Sequence, residues 1–110
     1  MPTTRQFTAA LKAISKPSPR VLTMLRHHVD APNHASIARE LAKAAGYVDW
    51  RGFNSQYGRL AKRVGEELGL KPPFLSKIVN LIEPGELRNE EWLVLMRKEF
   101  ATALKRAGWV

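Results

Sequence analysis

Prolines and glycines cut this chain into short segments, and these cuts limit the fold more than any other sequence feature. The stretch "SKPSP" must end a first helix, predicted over residues 4–14, because proline cannot continue a helix interior. Gly46 and Gly69 each follow apolar residues spaced three or four apart, which is typical of a helix end. The pattern predicts further helices over residues 19–29, 36–45 and 50–68. Ser18 is the predicted cap of the helix over residues 19–29, and Asp49 is the predicted cap of the helix over residues 50–68.

After "LKPP" the pattern changes, because "FLSKIVNLIE" and "EWLVLMR" are rich in aliphatic residues and enclose the turn-like "EPGELRNE". We predict a β-hairpin with strands over residues 74–83 and 92–97. A helix over residues 74–82 is the alternative. A short last helix is predicted over residues 98–107, ended by Gly108. The predicted fold class is α+β, mostly α, in one domain over residues 1–110, with residues 1–17 forming an N-terminal helix and linker.

Charge points to the partner. The chain has 18 Lys and Arg against 10 Asp and Glu, a net charge of +8. Such a balance favours a polyanion, most often nucleic acid. The chain has no cysteine, which excludes disulfides, a thiol nucleophile and Cys-ligated metal. It also has no run of ~18 apolar residues and no secretory-signal pattern, so we expect a soluble cytoplasmic protein with no membrane partner.

The segment "IARELAKAAGYVDWRGFNSQYGRLAKRV" has the pattern of a helix-turn-helix. Ala42 and Gly46 stand four apart, so a small residue allows close helix crossing and a glycine allows positive φ in the turn. The turn "YVDW" is longer than the shortest version of the motif. With a hairpin after the second helix, the domain would resemble a winged helix.

The second helix of this motif has two different faces. Phe53, Tyr57 and Leu60 lie on the stripe predicted to face the core. From residue 51 to residue 63 there are four cations and no acid. Cations attract phosphates, while Asn, Gln and Arg can read base edges. The predicted DNA-binding residues on this helix are Arg51, Asn54, Ser55, Gln56, Arg59, Lys62 and Arg63. Lys77 is added from the hairpin, where Arg88, Arg97 and Lys98 could also meet the DNA backbone as a wing does.

The string "LAKAAGYVDWRGFNSQYGRLAKRVGEELG" resembles the N-terminal DNA-recognition domain of bacterial modified-cytosine-dependent HNH restriction endonucleases. The shared pattern is Leu41-Ala42, Gly46-Tyr47, Asn54, Tyr57-Gly58 with Leu60, and Leu68-Gly69. The resemblance extends over roughly residues 18–110. It implies a mostly helical module with a small sheet that binds double-stranded DNA carrying 5-methylcytosine or a related base.

No HNH nuclease segment is present in the chain, so the resemblance implies the recognition part alone, either as a stand-alone protein or as a fragment. Besides DNA, the expected partners are a separate nuclease or a second copy of the chain. An apolar methyl group in the major groove needs an apolar or aromatic contact. The candidates for this contact are Tyr47, Trp50 and Tyr57. The alternative is that these rings fill the turn and the core.

Other functions have less support in the sequence. "HHVDAPNH" holds all three histidines, but His27 and His28 are adjacent and point apart on a helix, so no metal site is predicted. No catalytic arrangement and no cofactor motif appears, and we do not expect an enzyme. A protein-interaction module and an RNA-binding domain are the alternatives. Four C-terminal rings, Phe74, Trp92, Phe100 and Trp109, are predicted to lock the hairpin and last helix to the bundle, with Trp109 also a candidate for a partner contact.

Overall fold

The computed structural model describes residues 1–82 and 92–110. Helix α1 covers Thr4–Ala13 and begins with a capping box. The Gln6 amide donates to the Thr3 hydroxyl at 3.2 Å, and the Gln6 side chain accepts from the Thr3 amide at 2.9 Å. These bonds satisfy two of the amides that a helix start leaves free. Helix α2 covers Pro19–Asp30, with Ser18 at the N-cap position but without a side-chain cap bond.

A short strand, β1, lies where the third helix was predicted to begin. β1 covers Ala35–Ile37, and helix α3 covers only Ala38–Ala44. The prediction of helix from residue 36 was therefore wrong at its start. Ala35 to Ile37 are extended because they pair antiparallel with residues 93–95, far along the chain. Gly46 ends the helical segment with φ of +79°, as predicted for a glycine stop.

Helix α4 covers Arg51–Glu67 and packs against α3 across the intervening turn. Asp49 assists its start, because Oδ1 of Asp49 accepts from the Arg51 amide at 2.9 Å. Gly69 follows the helix with φ of +69°. The predicted stripe is confirmed, since Phe53, Tyr57 and Leu60 are buried.

The predicted hairpin is present, but its strands are shorter. Strand β2 covers Val79–Ile82 and strand β3 covers Leu93–Met96, and they pair antiparallel with Val79 opposite Met96. Leu75–Lys77 form a 3-10 turn, so the alternative of a helix over residues 74–82 is wrong. β3 is the middle strand, in the order β1–β3–β2. The predicted connection, with Arg88, lies outside the described residues.

Helix α5, Lys98–Arg106, closes the core against α1. The rings of Phe7 and Phe100 meet edge to face with centroids 5.2 Å apart. The predicted fold class, α+β and mostly α, is confirmed. Among the helices of the described residues, none has the length and apolarity needed to span a membrane.

Candidate nucleic-acid interface

The outer face of α4 carries most of the predicted DNA-binding residues. Because successive helical residues are about 100° apart, positions 51, 55, 59 and 62 project to one side. Arg51, Ser55, Arg59 and Lys62 are all exposed, and Asn54 is exposed at one margin of this face. These five residues, 51, 54, 55, 59 and 62, are called the α4 face below.

Two other predicted residues lie at the opposite margin of the helix. Gln56 and Arg63 are half-buried. Nη2 of Arg63 donates to the Ser15 carbonyl at 2.7 Å, which ties α4 to the connection between α1 and α2. Arg63 therefore has a structural contact in addition to any contact with a ligand.

The charges of α4 are arranged against the helix dipole. The first turn has no acidic residue and contains Arg51, while the last turn has no basic residue and contains Glu66 and Glu67. A helix is stabilised by the reverse arrangement, with acids at its positive N-terminus and bases at its C-terminus. At the N-terminal end the Asp49 carboxylate offsets part of the positive charge, because Oδ1 accepts from the Arg51 amide and Oδ2 lies 3.8 Å from Nη1 of Arg51. The cations further along the α4 face, Arg59 and Lys62, have no carboxylate beside them on the helix between residues 51 and 63.

The turn before α4 is held by Arg20 of α2. Nε of Arg20 donates to the Ala45 carbonyl at 3.0 Å, and Nη2 donates to the Gly46 carbonyl at 2.6 Å. The guanidinium also lies over the Tyr47 ring, 4.2 Å from its centroid. On its other side, Tyr47 packs so closely on Gly52 that a Cβ there would overlap the ring. Of the two alternatives for Tyr47, the structure supports filling of the turn.

Beyond Tyr47, the same turn presents apolar side chains to solvent. Val48 is fully exposed at its tip, and Trp50 is 53% exposed at the start of α4. Trp50 is thus the one of the three candidate rings that is accessible for a ligand.

Trp50 borders a groove with a volume of about 470 Å³. The groove lies between the start of α4, the junction of β1 with α3, and the ends of β2 and β3 that carry Leu81 and Trp92. Trp92 is 46% exposed and Leu81 is 49% exposed. The described residues of the lining are mostly apolar, and Arg39 and Asn54 are the polar ones among them: Ile37, Ala38, Arg39, Trp50, Phe53, Asn54, Leu81, Trp92 and Val94.

The sequence interpretation missed most of this groove. Both Trp92 and Trp109 were predicted to lock the hairpin and last helix to the bundle, with Trp109 also a candidate for a partner contact; the prediction of a locking ring holds for Trp109 and not for Trp92. Trp109 is buried, at 4% exposure, while Trp92 faces solvent in the groove. An isolated tryptophan before a strand gives no local signal of exposure, so only the tertiary structure could assign it.

Tyr57, the third candidate ring, is fully buried in a polar pair with His28, as its position on the predicted core stripe implies. Nδ1 of His28 lies 2.8 Å from the Tyr57 hydroxyl, and Nε2 lies 2.9 Å from the Val94 carbonyl. A carbonyl only accepts, so Nε2 carries the proton and donates to Val94, while Tyr57 donates to Nδ1. The pair joins α2, α4 and β3 behind the groove.

Burial shifts the titration of both partners in this pair. Loss of solvation lowers the pKa of His28 from 6.5 to about 4; the Val94 hydrogen bond opposes this shift, while His34 and His27 add slightly to it. Burial raises the pKa of Tyr57 well above 10.0. Both side chains are therefore neutral at pH 7. The spacing of His28 from Val21 and Leu25 on α2, seven and three residues, was the sequence signal that predicts its burial.

The three described wing cations lie at the end of the hairpin opposite Leu81 and Trp92. Lys77 is half-buried in the turn before β2, and Arg97 and Lys98 follow the end of β3, so all three are at the base of the hairpin. Nε of Arg97 donates to the Ser76 carbonyl at 2.9 Å, and Nη2 donates to the Asn80 side chain at 3.0 Å.

A second concavity, of about 500 Å³, lies near the base of the hairpin, lined by Arg97, Lys98, His34 and Leu95 among others. Leu95 and Val94 are neighbours in β3 and point to opposite sides of the sheet, so this concavity is separate from the Trp50 groove. Within residues 1–82 and 92–110, no three His, Asp or Glu side chains are grouped to hold a metal ion.

Comparisons with protein families, with curated proteins and with solved structures found no match to this chain.

Proposed function

We propose that this protein binds double-stranded DNA through the α4 face. The observation that carries the proposal is the charge of this helix, where the exposed cations Arg51, Arg59 and Lys62 project to one side with no carboxylate from residue 51 to residue 63. Phosphates would satisfy the cations, and the Asn54 amide could contact a base edge. The net charge of +8 supports the same partner.

The chain connectivity also supports this role for α4. From α2 to β3 the order is helix, strand, helix, helix, strand, strand, with β3 central in the sheet. This is the connectivity of a winged-helix domain, in which the second helix of the helix-turn-helix enters the major groove. In this arrangement α4 is the helix that contacts DNA, and the groove faces the same side.

Removing the cations of the α4 face should weaken DNA binding and its dependence on salt. Arg59→Ala and Lys62→Ala are each expected to lower affinity about three- to tenfold and to reduce the slope of log K against log salt by about 1, because each variant removes one phosphate contact. Fluorescence anisotropy with a labelled duplex at several salt concentrations measures both quantities.

Lys105→Ala is the matched control, because it removes the same charge from an exposed position on α5. It should change affinity and slope much less. If all three variants showed the same small loss, the DNA would be held by overall charge and the α4 face would have no special role.

Readout of a modified cytosine is the sharper form of the proposal. A 5-methyl group projects into the major groove and needs an apolar contact, which the exposed Trp50 ring offers beside Asn54. We expect methylated duplexes to bind several-fold tighter than unmethylated duplexes of the same sequence, and Trp50→Ala to reduce this preference. Equal affinity across CpG and non-CpG contexts would reject the modified-base readout and leave DNA binding in place.

A protein-interaction module is the second candidate, because the same groove exposes Trp50, Leu81 and Trp92 together. Exposed apolar patches often mark protein contacts. Isolation of the tagged protein from cell extract, with and without nuclease treatment, separates the two candidates. Co-purifying nucleic acid supports the first, whereas a stoichiometric protein that survives nuclease treatment and is lost in Trp92→Ala supports the second.

A further inference from the structure

The groove beside α4 is suited to a flat, apolar ligand. Its two indoles, Trp50 and Trp92, are each about half exposed, at 53% and 46%, although large apolar side chains are usually more stable when buried. The volume of about 470 Å³ lies within the ~300–1,000 Å³ typical of small-molecule sites. Phe53 and Val94, both buried, form part of its wall. A planar ring system could enter and cover apolar surface that is now in contact with water.

The polar groups at the groove restrict the ligand further. Asn54 lines it and carries an amide that both donates and accepts, which suits the polar edge of a heterocycle. Among the described residues that line the groove there is no carboxylate, and Arg51 directly follows Trp50 at the start of α4. A ligand with flat apolar faces, a hydrogen-bonding edge and an anionic attachment fits this combination. A nucleotide within a DNA strand has all three properties.

We propose that the groove takes a single nucleobase that has left the DNA base stack, held between Trp50 and Trp92 with Asn54 at its polar edge. The inference depends on the proposed DNA binding and names the part of the DNA that occupies the groove. Stacking on aromatic side chains is strong and tolerates any base, because every base has a flat π face. Extrusion from a duplex opposes this binding and is easiest for an unpaired or mismatched base.

Three labelled DNAs of otherwise identical sequence test the proposal. The first is fully paired, the second has one extra unpaired cytosine at its centre, and the third has an abasic residue in place of that cytosine. The second DNA should bind about tenfold tighter than the first, because one base can stack without being extruded from a pair. The abasic DNA should lose this advantage, because it keeps the distorted backbone but has no base to insert.

Variants of the groove residues test whether the tighter binding of the DNA with the unpaired cytosine depends on the groove. Trp92→Ala should bind the paired DNA as before and lose most of the preference for the unpaired cytosine. Trp50→Ala should lose the same preference, while Trp→Phe at either position should keep part of it. Val48→Ala is the control, since Val48 is an exposed apolar residue of the neighbouring turn that does not line the groove. Circular dichroism spectra and urea midpoints of each variant separate loss of binding from loss of fold.

The outcomes distinguish this inference from the proposed function. If the protein binds all three DNAs equally, base insertion is overturned and duplex binding stands. If it binds none of them, the proposed function fails as well. Trp variants that retain the full preference for the unpaired cytosine would also overturn the inference, and would assign the groove to another occupant such as a peptide.

Discussion

Lowering the pH from 6.5 to 4 should decrease the free energy of unfolding by roughly 3 kcal/mol through His28 alone. The pKa of His28 is about 4 in the folded protein and 6.5 when it is solvated. As the pH falls through this window, the unfolded chain binds a proton that the folded chain does not. The contribution of neutral His28 is therefore complete above pH 6.5, is lost progressively down to pH 4, and changes little below that. Urea unfolding at a series of pH values measures it.

His28→Gln is the control, because glutamine keeps a donor and an acceptor but does not titrate in this range. The variant should be less stable at pH 7, since its amide cannot reach both the Tyr57 hydroxyl and the Val94 carbonyl with the geometry of the imidazole. Its stability should depend less on pH between 6.5 and 4. If wild type and variant lost stability in parallel, the acid sensitivity would come from the net positive charge of the chain and not from His28.

Gly65→Ala should lower the free energy of unfolding by about 1–3 kcal/mol, because it overpacks the contact between α4 and the segment before β2. Gly65 is buried, and a Cβ at this position would overlap the ring of Phe74, with Cε1 only 2.8 Å away. The ring would have to leave its position against α4. Thermal unfolding or urea titration would show the loss.

Gly58→Ala on the same helix is the matched control. Apart from the backbone of α4 itself, no atom of the described residues lies within 4 Å of the place that a Cβ would take, so alanine meets open space. In this variant the free energy of unfolding should instead rise by about 0.5–1 kcal/mol, because glycine in a helix interior has a greater entropic cost of folding than alanine. Two identical substitutions seven residues apart would then have opposite signs. Equal stability of the two variants would contradict the packing of Phe74 on Gly65.

The helices could be predicted because their signals are local. The cap at Thr3, the proline at position 19 and the positive-φ glycines at 46, 69 and 108 act within a few residues of the helix ends that they determine. The buried stripe of α4 follows from spacing alone. The hairpin was also predicted, from two aliphatic runs on either side of a turn-like stretch, although the strands are shorter than expected.

Features that depend on distant pairing were not predictable. β1 has only three residues, which is too short for an alternating pattern, and it is a strand because it pairs with Leu93 to Leu95. The groove combines Ile37, Leu81 and Trp92 with α4, and no sequence spacing connects these positions. For the candidate site, spacing along the helix therefore predicted the exposed α4 face and the buried stripe with Tyr57, but not the exposure of Trp92 or its place beside Trp50 in the groove.

The contacts of Arg20 determine whether the turn before α4 loses its conformational entropy on folding or on binding. Its two hydrogen bonds and its stacking on Tyr47 fix the segment before α4 in the free protein. If the turn became ordered only on contact with a ligand, the entropic cost of ordering would lower the affinity and would slow association. In this protein the turn loses its conformational entropy when the chain folds. We therefore expect association with a ligand in a single fast phase, without a later rearrangement of the turn. In Arg20→Ala the turn would become ordered only on binding, so the same entropic cost would lower the affinity.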